Sequence, residues 1–285
     1  MRYNREEYDT GSKIEFRLEL SKKDNEDIAN VIHNVLHKFK SPKETIPYVE
    51  SEIASTLAEI HKRLDEFFGR KPGEYFLRFS NCSPKDAWYQ LCSETPELDE
   101  EQDDQSEDIL TEEEIKRDID VLRVTSAKQV LMVLCHSERI YYEAECDKGD
   151  NAIILLPWND KILYDTETRC FVRNGKLIAF SQYYYGLQTG YKSLKCDFPG
   201  EFCLQVTDKI NTITSNNFPY KDAVIDLAVS SKHTKDDLEF IFIEVNPFDE
   251  NTDSPFIDWK HLQEDEFANV EFKYKKEGEI KSYNL

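Results

Sequence analysis

The stretch FIFIEVNPFDENTDSP (240–255) is apolar as far as Ile243, then sets Glu244 and Asn246 two residues apart with Val245 between them. Alternate residues of a strand project from the same side of a sheet, so this carboxylate and amide share one face. Just upstream, AVIDLAV (223–229) carries one carboxylate, Asp226, in an otherwise apolar run. Pairing of the two strands through the polar SSKHTKDD (230–237) makes Asp226 and Glu244 neighbours. Two adjacent carboxylates repel, and each loses hydration in a core; a divalent cation relieves both costs. Hard oxygen ligands of this kind suit Mg²⁺, which keeps several waters and shares its shell with phosphates. The competing reading is that these side chains cap turns at a sheet edge.

Cations beside such a site neutralise a triphosphate during phosphoryl transfer. LRFSNCSPKDA (77–87) offers Arg78, Lys85 and the hydroxyl of Ser83, and TRCFVR (168–173) offers Arg169 and Arg173. Taken singly, each is ordinary surface charge. His33 and His37 lie one helical turn apart, a zinc-compatible spacing, yet no third ligand and no H-E-x-x-H pattern accompanies them. G-x-G-x-x-G, Walker A, G-x-S-x-G and zinc-finger spacings are absent, which removes support for Rossmann, P-loop and α/β-hydrolase chemistry.

The elements that must position these groups follow from periodicity. DNEDIANVIHNVLHKF (24–39) predicts a helix with Asp24 as its cap, and Ile53, Leu57, Ile60, Leu64 and Phe67 predict a second over about 49–68. A strand is expected at Tyr75–Phe79, a helix at about 126–138 and a buried strand at 152–158, stopped by Pro157. TRCFVRNGKLIAFSQYYY reads as a hairpin about an Asn174-Gly175 turn of type I′ character. GEFCLQVTDKINTI (200–213) reads as a helix, and DAVIDLAV and EFIFIEVN as two final strands. Helices and largely antiparallel strands in blocks predict an α+β architecture.

Composition narrows the function classes. The formal net charge of −21 over 285 residues argues against nonspecific binding of nucleic acid or anionic membranes, which takes clustered Lys and Arg. Residues 93–108 hold nine acidic side chains and no basic one, and are expected to form a disordered surface loop. Seven cysteines form no C-x-x-C pair and are odd in number, as expected of reduced thiols in cytosol or nucleus. No apolar run is long enough to span a bilayer, and no secretory leader is recognisable. A cytoplasmic protein is expected.

SPKDAW, RCFVRNGKLIAFSQYYY, AVIDLAV and FIFIEVNPFDENTDSPFIDW occur in an order and spacing that resemble the cell division cycle protein 123 family, a divergent branch of the ATP-grasp fold. The resemblance covers roughly residues 46–260. It implies an ATP-grasp-like pair of α+β subdomains, at 46–150 and 151–260, that grip ATP, flanked by a divergent segment (1–45) and a tail (261–285). It also implies Asp226, Glu244 and Asn246 as Mg²⁺-ATP ligands, Arg169 as a phosphate contact acting in catalysis, and Arg78, Ser83 and Lys85 as further phosphate contacts. Leu155, Leu156 and Trp158 fall in the hinge that receives adenine through its backbone. The chain departs from the family in lacking an N-terminal Trp-Tyr-Pro segment, in carrying Arg78 for a lysine, and in reading LLPW where Leu-Arg-Lys-Trp is usual. Two functions are implied. One is a ligase that phosphorylates a small-molecule or protein carboxylate and lets an amine attack the acyl phosphate. The other is an assembly factor for eukaryotic translation initiation factor 2, in which ATP is bound and no bond is made. The retained ligands beside the missing N-terminal segment favour the ligase.

Overall fold

The computed structural model describes residues 14–80, 82–91, 111–146, 151–194, 199–215, 218–231, 238–263 and 269–285. The acidic stretch 93–108 and most of the SSKHTKDD connection lie outside them. The described residues divide into two compact units, one from 13–107 and 113–158, the other from 108–112 and 159–285. Both are mixed α and β, each built on its own sheet.

The first unit's sheet has the order β1-β4-β2-β3, from β1 (Phe16–Glu19), β2 (Tyr75–Phe79), β3 (Arg123–Val124) and β4 (Ala152–Pro157), all antiparallel. Helices α1 (Lys22–Lys38), α2 (Pro42–Ile53) and α3 (Ala58–Arg70) join the apolar cluster around Tyr75, Leu77, Phe79, Ile153 and Leu155. Two short helices, α4 (Ala87–Leu91) and α5 (Glu112–Asp120), precede α6 (Ala127–Cys135) and α7 (Glu138–Glu145). Both β1 and α1 belong to this unit, so part of the segment expected to stand apart as 1–45 is sheet and core.

Three helix expectations need correcting. Ser21, not Asp24, caps α1; Asp24 is the reciprocal partner, its Oδ2 accepting from the Ser21 backbone at 2.8 Å while Ser21 Oγ accepts from the Asp24 backbone at 3.1 Å. The helix expected over 49–68 is two, α2 and α3, with a turn at 54–57. Ser55 Oγ donates back to the Ser51 carbonyl at 2.8 Å, a bond that bends a helix, while the stripe Ile53, Leu57, Ile60 runs on across the break and hides it. The helix expected over 126–138 stops at Cys135, and Ser137 Oγ caps α7 by accepting from the Ile140 backbone at 3.3 Å.

The second unit contains β5 (Glu167–Arg173), β6 (Lys176–Gln182), α8 (Gly200–Ser215), β7 (Ala223–Ser231), β8 (Leu238–Asn246), α9 (Trp259–Leu262), β9 (Glu271–Lys276) and β10 (Glu279–Asn284). Its sheet order is β10-β9-β6-β5-β7-β8, antiparallel except for β6 with β9. The Asn174-Gly175 turn has positive φ at both residues (52° and 73°), as the hairpin reading requires. Phe202, Cys203, Val206 and Ile210 of α8 pack on one sheet face with Cys170, Phe180, Ile225, Leu227 and Phe242. The opposite face carries Phe171, Val224, Ala179 and Leu262. The expected tail is instead structured: β9 and β10 form a hairpin about Glu277 (φ 53°) and Gly278 (φ 81°) that extends the sheet beyond β6.

Candidate functional site

Strand β8 is read in two frames. Leu238, Phe240 and Phe242 point toward the α8 core, and strict alternation would send Glu244 after them. A bulge intervenes: Asp226 pairs with Glu244 but Leu227 pairs with Phe242, so Ile243 is the extra residue. Val245 then takes the core side, and Glu244 and Asn246 join Asp226 on the other face. The pairing of Asp226 with Glu244 expected from the hairpin is the one observed.

Arg169 reaches the same place from a strand not adjacent in sequence. Strand β5 lies beside β7 with Arg169 opposite Asp226. Its Nε donates to Asp226 Oδ1 and its Nη2 to Oδ2, both at 2.8 Å, while Nη1 donates to the Asp253 carbonyl at 2.6 Å. The guanidinium lies 4.6 Å from the centroid of Tyr183. Arg169 and Asp226 are 4% and 1% exposed, so this is a buried, two-bond ion pair. Burial disfavours the guanidinium charge, but Asp226 outweighs it, with Tyr183 and Glu244 adding to the effect, and the pKa of Arg169 rises. Neither the Asp253 carbonyl nor the Tyr183 ring was expected at the site. Hydrogen bonding to a backbone group leaves no mark in residue types, whereas the run Tyr183-Tyr184-Tyr185 offered a visible signal.

Asn246 Nδ2 donates to Asp226 Oδ2 at 2.9 Å. The amide nitrogen is thereby committed, and its oxygen is the atom left for a ligand. Of the roughly four lone-pair sites of the Asp226 carboxylate, three N–H donors use three. Glu244, Asn246 and Asp226 therefore offer an oxygen-only donor set, whose chemistry fits Mg²⁺ with waters completing the shell. Among the described residues no group of three or more His, Cys, Asp or Glu side chains converges for a metal, so any site here rests on two carboxylates and an amide. Arg173 stands apart, its Nη1 donating to the Leu262 carbonyl at 3.2 Å.

The remaining candidates belong to the first unit. Arg78 alternates with Leu77 and Phe79 and pairs with Ile154, placing it on the face that carries Phe76, Ile154 and Leu156. Ser83 is buried and its carbonyl accepts from the Lys85 backbone at 2.9 Å. That loop is tied to α7 through Asp86, which accepts from Ser137 Oγ at 2.6 Å and from the Arg139 backbone at 3.2 Å. Burial pushes the neighbouring Cys82 thiol up to about 12. The segment expected to be an adenine hinge is a central strand between β1 and β2. The Leu155 carbonyl accepts from the Glu15 backbone at 3.1 Å, and the Trp158 backbone donates to the Glu74 carbonyl at 2.9 Å, so both groups already have partners. Leu156 pairs with Phe76. The His33 and His37 rings lie 4.6 Å apart with the Tyr141 hydroxyl 3.5 Å from His33 Nδ1, a local aromatic cluster.

The family model D123 matches residues 15–284. Among solved structures, Cdc123 from Schizosaccharomyces pombe is similar with a TM-score of 0.54 and 17% identity, over 92% of this chain and 89% of that one. A C-terminally truncated form of the same protein gives 0.53 and 18%, over 91% and 87%. No curated protein sequence matches. At these identities the likeness is one of fold. No helix among the described residues is long and apolar enough to cross a membrane.

Proposed function

Because this chain belongs to the D123 family, the Cdc123 family its motifs resemble, we propose that Asp226, Glu244 and Asn246 bind Mg²⁺-ATP in an ATP-grasp-like manner. The observation that carries this reading is the β8 bulge. A strand that only fills a core has no use for an extra residue that turns a carboxylate and an amide toward a third polar side chain. The metal, when bound, supplies charge neutralisation at the phosphates. Asp226 is held in place by Arg169, and Asn246 is oriented by Asp226.

The bound nucleotide serves assembly of translation initiation factor 2 in this proposal, and no ligation occurs. Two observations support assembly over the ligase expected from the sequence. The family match begins at residue 15, so most of the segment read as divergent, 15–45, lies within the family region, and the ground for a ligase paralogue weakens. Arg169, the group that would stabilise charge on a transferred phosphoryl, spends three of its five N–H donors on Asp226 and the Asp253 carbonyl. Calorimetric titration of ATP with and without Mg²⁺ tests the site: Glu244→Gln is expected to weaken Mg²⁺-ATP binding about tenfold or more, with metal-free ATP little changed. Equal affinities in the variant and the parent would overturn the assignment. ADP release that rises with a pool of amino acids and small carboxylic acids, and vanishes in Glu244→Gln, would restore the ligase. Capture of the factor's subunits without turnover is the expected result.

A further inference from the structure

A single polar row crosses the whole six-stranded sheet. Glu244 of β8 lies opposite Asp226 of β7, Asp226 opposite Arg169 of β5, Arg169 opposite Ser181 of β6, Ser181 opposite Lys273 of β9, and Lys273 opposite Ser282 of β10. Every member sits on the face away from α8, because the flanking residues Val245, Ile225, Cys170, Phe180 and Phe272 all point into the α8 core. Two residues along, the parallel row is apolar at its centre, with Val224, Phe171 and Ala179. Charge is graded along the polar row, negative at Glu244 and Asp226, positive at Arg169 and Lys273.

Three members of this row, Ser181, Lys273 and Ser282, lie beyond the residues assigned to metal and nucleotide, and the first two carry the inference. Ser181 is fully buried, and among the described residues its Oγ has no hydrogen-bond partner. A buried hydroxyl without a partner is destabilising, and Ala179 shows that this face accepts alanine one pleat away, so packing alone does not call for serine. Lys273 Nζ lies 3.1 Å from Glu271 Oε1, which leaves two of its three N–H donors, and its side chain is 22% exposed. Glu271 is itself shared: Ser282 Oγ donates to its Oε1 at 3.4 Å, and His261 Nε2 stands 3.4 Å from its Oε2.

We propose that Ser181 and Lys273 form an oxyanion subsite that continues the row past Arg169, with hydroxyl and ammonium donating to the oxygens of a phosphate or a carboxylate. The inference rests on the nucleotide reading of the same row, which supplies one of the two sources of that oxyanion, the terminal phosphate of ATP. The other source is a separate acid bound beside it. The subsite also gives the β9–β10 hairpin a function, since it brings the ammonium to the row.

Calorimetric titrations of the full chain, Ser181→Ala, Lys273→Met and Lys273→Arg with Mg²⁺-ATP, Mg²⁺-ADP, inorganic phosphate and succinate test it. Lys273→Met is expected to weaken at least one of these ligands about tenfold or more, with Lys273→Arg restoring most of the loss. Ser181→Ala is expected to weaken the same ligand while its unfolding temperature stays level or rises, a combination a purely structural serine would not give. Loss for ATP but not ADP identifies the terminal phosphate. Loss for phosphate or succinate with both nucleotides unchanged identifies a separate acid. Affinities within about twofold of the parent for all four ligands in both Ser181→Ala and Lys273→Met overturn the subsite and leave the nucleotide reading standing. Lys273-dependent binding of phosphate or succinate in a chain that binds no nucleotide refutes the nucleotide reading and leaves the subsite standing. Binding of none of the four to the parent overturns both.

Discussion

Removing Arg169 is the sharpest test of how the site is held together. In Arg169→Met, the Asp226 carboxylate, 1% exposed, loses the Nε and Nη2 donors of its ion pair and keeps the Asn246 Nδ2 bond. A buried ion pair broken on one side costs about 3–5 kcal/mol, because the surviving charge is left in a medium that cannot solvate it. That is a large share of the roughly 5–15 kcal/mol that holds a domain folded. Asp226→Leu should be costly for the mirror-image reason, whereas the double variant Arg169→Met/Asp226→Leu removes both charges and should cost much less than the two singles together. Trp259 reports on this unit, since its Nε1 donates to the Thr252 carbonyl at 2.8 Å and its ring meets Phe171 edge-on at 5.9 Å. Urea unfolding followed on Trp259, with Trp88→Phe and Trp158→Phe silencing the other two indoles, gives the cycle directly. A single-variant cost below about 1 kcal/mol, or strictly additive costs, would refute the buried-pair reasoning.

Two further perturbations probe other features. Burial raises the pKa of Asp118 to about 6 against the pull of Lys85, so the folded chain keeps a proton that the unfolded chain releases near pH 4. That contribution to stability is whole at acid pH and lost as pH rises through 6; the unfolding temperature of Asp118→Asn minus that of the parent should therefore climb between pH 4 and 7 and then level, and a flat or falling difference would refute it. Deletion of Ile243 removes the extra residue and makes Phe242 and Glu244 consecutive, so plain alternation keeps Phe242 on the α8 core and Glu244 opposite Asp226. The deletion should cost no more than about 1 kcal/mol beyond Ile243→Val in urea unfolding and leave Mg²⁺-ATP affinity within about twofold of the parent, and a cost of several kcal/mol would refute Ile243 as the extra residue.

Legibility in the sequence followed the distance over which each feature is decided. Strand β2 was expected at its observed bounds because alternation and its flanking Gly73 and Ser80 are local. Asp226 beside Glu244 was legible because a hairpin links consecutive strands. Arg169 opposite Asp226 was not legible, since β5 and β7 are neighbours only after α8 has intervened, and no residue pattern states that adjacency. The frame change at Ile243 escaped notice because isoleucine suits either frame. The break between α2 and α3 was hidden by a continuous apolar stripe. The β9–β10 hairpin did leave a signal, Phe272 and Tyr274 alternating ahead of Glu277-Gly278, but four lysines between 273 and 281 gave the segment the look of solvated tail.

The parallel joint between β6 and β9 has a bearing on how the protein is made. Synthesis delivers β5, β6, β7 and β8 first, yet β6 has one bare edge until residues 271–276 arrive to bond it. A nascent chain stalled before that point shows Phe180 and Ser181 on an unprotected strand edge, the kind of surface that recruits chaperones or sticks to other chains. Completion brings β10 to the outside, where Lys281 and Glu279 blunt the new edge with charge. Quality control therefore bears on residues 271–284, and a frameshift or premature stop ahead of them should leave an aggregation-prone remnant rather than a shorter working copy.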